Sequence, residues 1–126
     1  AAAIKWYRKA AVQGEAMAQF NMGWMYDNGE GIPEDDTKAL EWYLKSALGG
    51  HIESPNYIGI LYENGDGTPE DDIAAYAWWL IGTKRGDEAP RNNMEFLAEK
   101  LSPEQLAKAK ELSAKLEGKM AAQKKP

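Results

Sequence analysis

The chain has 126 residues, a net charge of −5 and no cysteine. That length suffices for one domain or one short repeat array with its own core, and the lack of cysteine excludes disulfide frameworks, thiolate metal sites and thiol nucleophiles. No apolar run approaches the ~18 residues of a membrane span, and an acidic body argues against nucleic acid or anionic lipid as a partner.

The positive charge that exists gathers at the C-terminal end, as Lys115, Lys119, Lys124 and Lys125 against Glu117, so the rest of the chain is more acidic than the total. No signal-peptide pattern precedes the first predicted helix; a processed chain would look the same.

Ala3, Trp6, Tyr7, Ala10 and Ala11 fall at i, i+3, i+4, i+7 and i+8, one apolar face of a helix that Gly14 closes. The same face returns 36 residues on as Ala39, Trp42, Tyr43, Ser46, Ala47 and Gly50. It returns again as Ala75, Trp78, Trp79, Gly82, Thr83 and Gly86. This is helix B, in three copies. A fixed period in the range of 20 to 50 residues marks stacked repeats. The Trp6/Trp42/Trp78 and Tyr7/Tyr43/Trp79 ladder is read as core.

Helix A lies between the copies, first from about Glu15 to Asp27. In the second unit Ser54 suits an N-cap and Pro55 the first helical turn. Gly23 and Gly59 sit mid-helix, where glycine costs roughly 1 kcal/mol against alanine. A repeated cost of that kind implies close approach of helix B, with Ala39, Ala47 and Ala75 as the expected small partners. Ala18, Met22, Met25 and Tyr26 form the face that meets helix B.

From A to B runs Asn28-Gly29-Glu30-Gly31-Ile32-Pro33-Glu34-Asp35-Asp36, repeated without a gap as Asn64-Gly65-Asp66-Gly67-Thr68-Pro69-Glu70-Asp71-Asp72. Its glycines permit positive φ, its proline keeps the preceding residue out of helix, and its aspartates cap the next helix. The acidic connectors invite a calcium reading, but the D-x-[DN]-x-[DN]-G spacing is absent, and capping accounts for them. His51, the only histidine, follows Gly49-Gly50 in a turn. No Ser–His–Asp set or His-x-x-x-His pair can be assembled around it, so no catalytic residue, metal ligand or cofactor site is assigned.

After Gly86 the pattern breaks. A third helix A, about Glu88 to Lys100, has Glu95 in the glycine position. Ser102 and Gln105 then form a capping box with Pro103 in the first turn. Leu106, Ala109, Leu112 and Leu116 give a charged helix one narrow apolar side, as a terminal cap requires.

The run G-x-x-Y-x-x-G-x-G, followed by an apolar or small residue, P-E-D and then A-x-x-W-Y-x-x-A/S-A, resembles the Sel-one-like repeat, a helical repeat related to the tetratricopeptide repeat. The resemblance covers residues 1–86, as a partial first repeat over 1–14 and full repeats over about 15–50 and 51–86. Residues 87–117 resemble the capping segment of that family, and 118–126 are expected to be a disordered tail. Ser54 and Pro55 depart from the usual pattern and predict a shortened or shifted helix start. The resemblance implies an all-α, right-handed α/α superhelical solenoid with a C-terminal capping helix. It implies a non-catalytic adaptor role. Many members are bacterial and secreted or periplasmic; others serve in the endoplasmic reticulum, and a cytoplasmic setting stays open.

In related repeats the A helices line the inner curve. A second face of helix A, Met17, Phe20, Trp24, Asp27 and Asn28, with Asn56, Ile60, Glu63 and Asn64 in the next unit, is therefore the candidate partner-binding surface. Part of it must pack on the neighbouring A helix. Trp24 and Phe20 are the expected anchors; the carboxylates and amides would read a peptide backbone or basic side chains. Two other readings stand beside this one: a β-lactam-binding or hydrolysing protein, which some relatives suggest but no nucleophile here supports, and a structural segment of a longer array. Trp6 and Tyr7 lack an A-helix partner, so an upstream repeat or self-association through the first helix would cover them.

Overall fold

A computed structural model describes residues 2–124. Among them the only regular elements are seven helices: α1 (Ala2–Val12), α2 (Ala16–Asn28), α3 (Asp36–Leu48), α4 (Ser54–Asn64), α5 (Asp72–Lys84), α6 (Arg91–Lys100) and α7 (Pro103–Lys124). α2 with α3 and α4 with α5 form the two full A–B hairpins, α1 is the preceding B helix, and α6 is the third A helix.

The two connectors are copies in geometry as well as sequence. Gly29 and Gly65 take φ of 67° and 72°, Gly31 and Gly67 take 77° and 74°. The Glu30 N–H donates to the Met25 carbonyl at 3.0 Å and the Asp66 N–H to that of Leu61 at 2.9 Å, while Asp35 and Asp71 each return to the tyrosine of helix A, Tyr26 and Tyr62, at 2.9 Å. Asp35 and Asp71 are extended N-caps whose carboxylates accept from the Lys38 and Ala74 amides, meeting orphan donors at the start of α3 and α5.

The mid-helix glycines meet aromatic rings rather than alanines. A β-carbon on Gly23 would stand 2.6 Å from Cδ1 of Tyr43, and one on Gly59 would overlap the Trp79 indole. Alanine at 39, 47 and 75 is buried in the core, but the flat ring one turn away takes the place a β-carbon would need. The rings are pinned at their polar ends: the Tyr43 hydroxyl donates to Asp27 Oδ2 at 3.1 Å and the Trp79 Nε1–H to the Asn56 carbonyl at 3.0 Å.

The aromatic ladder is graded rather than uniformly core. Trp78 is 5 % exposed, Trp42 half-buried and Trp6 71 % exposed. The gradient follows the number of elements around each: Trp78 packs among α3, α4 and Met120 of α7, Trp42 against α1 and α2, and Trp6 has no A helix of its own hairpin.

α4 starts later than α2 relative to the repeat, as Pro55 predicts, but Ser54 is not its cap. Glu53 holds that position without a side-chain bond. Ser54 is fully buried and its Oγ lies 2.6 Å from that of Ser46, which also donates to the Ala16 carbonyl at 2.8 Å. The hydroxyl thus clasps the two hairpins together.

α6 and α7 do not pack along one another as the two full hairpins do; α7 lies on α5 instead. The Ser102–Gln105 box forms in both directions, at 2.9 and 3.1 Å. Of the stretch 118–126 expected to be a disordered tail, residues 118–124 are helix, and 125–126 lie outside the described residues. Met120 explains the continuation: it is 8 % exposed and joins the α3–α4 core. Arg85 lies between, donating to the Ala47 and His51 carbonyls at 2.8 and 2.9 Å, with Met120 Sδ beside it at 3.5 Å.

Candidate protein-interaction surface

The repeat register places the candidate residues one helical step away from the buried A-helix face. Met25, Leu61 and Leu97 are equivalent and all buried. The residues just before them are Trp24, Ile60 and Phe96. Trp24 is 39 % exposed and Phe96 61 % exposed, while Ile60 is half-buried against the Ala75–Trp79–Leu97 cluster.

The remaining candidates divide. Met17 is exposed at 67 %. Asn28 and Asn64 are exposed at the helix ends, and Asn28 Nδ2 donates back to the Trp24 carbonyl at 2.9 Å. Glu63 is half-buried. Asn56 serves the core through its carbonyl, and its buried Oδ1 has no partner. Phe20 is not a free anchor. Its ring lies 4.5 Å from His51, 5.2 Å from Tyr57 and 5.6 Å from Tyr43, so it fills the seam between α2 and α4.

Asp27 combines the roles of core acceptor and surface carboxylate. Burial raises its pKa from the ordinary carboxylate value; the Tyr43 hydroxyl opposes that shift, and Asp66 and Glu34 add to it. Asp36 is raised chiefly by burial, then by Asp66, Asp27, Glu34 and Asp35. The second connector causes the crowding. Gly67 lies on the start of α3, where a β-carbon would come 2.5 Å from the Asp36 carbonyl carbon, and this brings Asp66 beside the other carboxylates. Removing like charges from water while holding them together favours their neutral forms.

Sequence reasoning missed Phe96, Asp36 and Asp66 as members of this surface. Phe96 was findable by carrying the 36-residue offset past the broken connector. The convergence of Asp66 on Asp27 and Asp36 depends on how one hairpin seats on the next. Among the described residues no group of three or more His, Asp or Glu side chains could hold a metal ion, and no helix is long and apolar enough to cross a membrane.

Two helical hairpins in tandem, with a further helix on each side and a cap, define an α-solenoid of interaction repeats. The Sel1 repeat family model matches residues 1–15, 16–51 and 56–87, and the chain belongs to that family. Its fold is similar to that of a Sel1 repeat protein from Oxalobacter formigenes, with 32% identity and a TM-score of 0.69 over 72% of this chain and 37% of that one. It is also similar to a protective antigen of uropathogenic Escherichia coli displaying an SLR fold, with 31% identity and a TM-score of 0.79 over 95% of this chain and 26% of that one. The chain thus spans well under half the length of either. No curated protein matches it. Repeats of this family are, in general, non-catalytic scaffolds for protein–protein interaction.

Proposed function

We propose that this chain is a non-catalytic adaptor that holds a basic segment of a partner protein along its A helices. The observation that carries the reading is Trp24. Its indole stands 39 % exposed in the middle of a helix whose other aromatic residues are at least partly buried, one residue from the glycine that seats α2 on α3. A large, rigid ring held on a well-packed helix is an effective contact residue, because little conformational entropy is lost when it is covered.

The acidic group beside it supports the sign of the partner. The charge of Asp66 adds to the raised proton affinity of Asp27 and of Asp36, and that of Asp27 adds to the shift of Asp36, so a lysine or arginine brought among them relieves repulsion already present. Met17, Asn28, Ile60, Glu63 and Asn64 extend the surface along α2 and α4, and Phe96 extends it onto α6.

Affinity capture from the native host with the wild-type chain and with Trp24→Ala tests the reading. The expected result is loss of the same captured protein from Trp24→Ala and its release from wild type by moderate salt, with the helical content and melting of the variant unchanged. Equal capture by a folded Trp24→Ala chain would overturn it.

A further inference from the structure

His51 stands at the meeting point of four helices. Its ring lies 4.5 Å from that of Phe20 on α2, and Phe20 in turn meets Tyr43 of α3 at 5.6 Å and Tyr57 of α4 at 5.2 Å. The backbone of His51 is tied on two sides. Its N–H donates to the Ser46 carbonyl at 3.1 Å, and its carbonyl accepts from the guanidinium of Arg85, at the end of α5, at 2.9 Å. The peptide is therefore fixed, and the ring is the part that can move. It forms one wall of the aromatic seam that joins the first full hairpin to the second.

The Nε2 atom of that ring is buried and has no hydrogen-bond partner. Neutral imidazole tolerates this, because the proton can sit on Nδ1 and leave Nε2 bare. The imidazolium carries an N–H on both nitrogens, and a buried charged donor without an acceptor is costly. The surroundings offer it little. α2, α3 and α4 bring the uncharged rings of Phe20, Tyr43 and Tyr57, and burial keeps the Tyr43 phenol neutral. Arg85 brings a like charge from the end of α5, and α7 adds Met120 and the Glu117 carboxylate beside Arg85. The opposite charge that bears on the ring is Glu53, in the turn before α4. It is exposed, and its carboxylate caps no helix N–H.

We infer that His51 is a proton-operated latch on the seam between the two full hairpins: neutral, its ring lies in against Phe20; protonated, it swings out beside the Glu53 carboxylate and leaves Phe20 uncovered on that side. The outward position gives the imidazolium water and an opposite charge in place of a dry pocket. What it forfeits is the Phe20 contact, so the packing of Phe20 on Tyr57 loosens. The hairpins themselves stay closed, because each is held by its own glycine contact, Gly23 on Tyr43 and Gly59 on Trp79. Burial, and then the like charge of Arg85, hold the proton affinity of His51 below the ordinary histidine value. The latch is therefore shut at neutral pH and opens as pH falls through that lowered value.

His51 is the only histidine, so its imidazole C–H resonances report its protonation without ambiguity. An NMR titration of the wild-type chain from neutral to mildly acidic pH reads them together with the nuclear Overhauser contact between the Phe20 and Tyr57 rings. The expected result is loss of that contact with the same midpoint as His51 protonation, at unchanged helical content. His51→Phe keeps a ring and takes up no proton, so its Phe20–Tyr57 contact is expected to persist through the range. Glu53→Gln removes the charge that receives the outward ring, and is expected to move both midpoints together to lower pH. A His51 that titrates while the Phe20–Tyr57 contact holds would overturn the inference. So would loss of the contact at the same pH in His51→Phe, or a His51 that stays neutral until the whole chain unfolds. None of these readouts involves Trp24, so their failure leaves the adaptor reading standing.

Discussion

Gly59 lies against the Trp79 indole with no room for a methyl group between them. The indole cannot swing aside freely, because its Nε1–H is held by the Asn56 carbonyl at 3.0 Å and its body is fully buried. Gly59→Ala therefore introduces overpacking worth about 1–3 kcal/mol, offset in part by roughly 1 kcal/mol of helix propensity. The expected outcome is a lower denaturation midpoint, with Gly23→Ala behaving in the same way against Tyr43. Gly118 is the control: it lies within α7 and a β-carbon there meets nothing within 4 Å. Gly118→Ala should stabilise by about 0.5–1 kcal/mol. Urea titration of the three variants checks the contrast, and a raised midpoint for Gly59→Ala would show that the ring has space to retreat.

The pH dependence of stability has two opposing parts. His51 has its pKa lowered, first by burial and then by the Arg85 guanidinium, with Glu53 opposing. The unfolded chain therefore takes up the proton more readily. The stability that neutral His51 contributes is present above the unfolded value of about 6.5 and is lost as pH falls from there toward the lowered folded value. Asp27 and Asp36 act oppositely. Their folded pKa values are raised, so the folded chain binds those protons more tightly, and stability falls as pH rises from the unfolded carboxylate value through the raised ones. Asp27→Asn keeps an acceptor for the Tyr43 hydroxyl and removes the charge, and is expected to raise the melting temperature at neutral pH. His51→Phe should flatten the loss of stability between neutral and mildly acidic pH. Melting curves across that range for wild type and both variants test the two signs separately.

The hairpins were legible because their information is local and repeated. The turn chemistry of Gly29-Glu30-Gly31 and Gly65-Asp66-Gly67 is written in residues that allow few other conformations, and both turns form alike. The register of Met25 and Leu61 carries through to Leu97 even where the connector is lost. What was not legible depends on contacts distant in sequence. An apolar residue such as Phe20 looks the same whether it awaits a partner or fills a seam, and only the position of Tyr57 and His51 decides. Trp6 carries the pattern of a core residue, but burial needs a neighbour that the pattern does not contain. The glycine contacts were placed on the right pair of helices and against the wrong residues, because small residues and flat rings both permit close approach.

Arg85 makes a prediction about side-chain shape. Its guanidinium reaches the carbonyls of Ala47 and His51, which close α3 and its following turn. Lysine keeps the charge but cannot span both carbonyls with a planar fork. Arg85→Lys is expected to cost about 1.5–3 kcal/mol, the range for one hydrogen bond involving a charged group, and Arg85→Ala more. Hydrogen exchange should show the loss as faster exchange at the His51 amide, which bonds to the Ser46 carbonyl at 3.1 Å. Equal stability for the lysine variant would mean that one carbonyl suffices.

The end of α7 tests whether a single apolar residue can hold a helix that composition alone would leave loose. Residues 118–124 are rich in lysine and alanine, and Met120 is the large side chain they bury. It lies with Ala47 and Ile81 in the α3–α5 core and against the Arg85 guanidinium. Met→Ala in a packed core costs about 2–5 kcal/mol; at this peripheral site, beside the open groove lined by Arg85, Glu117 and Ala121, Met120→Ala should fall near about 2 kcal/mol, the lower end of that range. Deleting residues 119–126 should cost at least as much, because it removes the same contact and shortens α7. The ion pair of Lys84 with Glu117 at 3.1 Å is too exposed to compensate, since surface pairs contribute about 0–1 kcal/mol. Denaturant midpoints for the substitution and the deletion decide the matter. If both match wild type, the segment is a tail in its energetics, and the packing of Met120 on α3 is incidental to the fold.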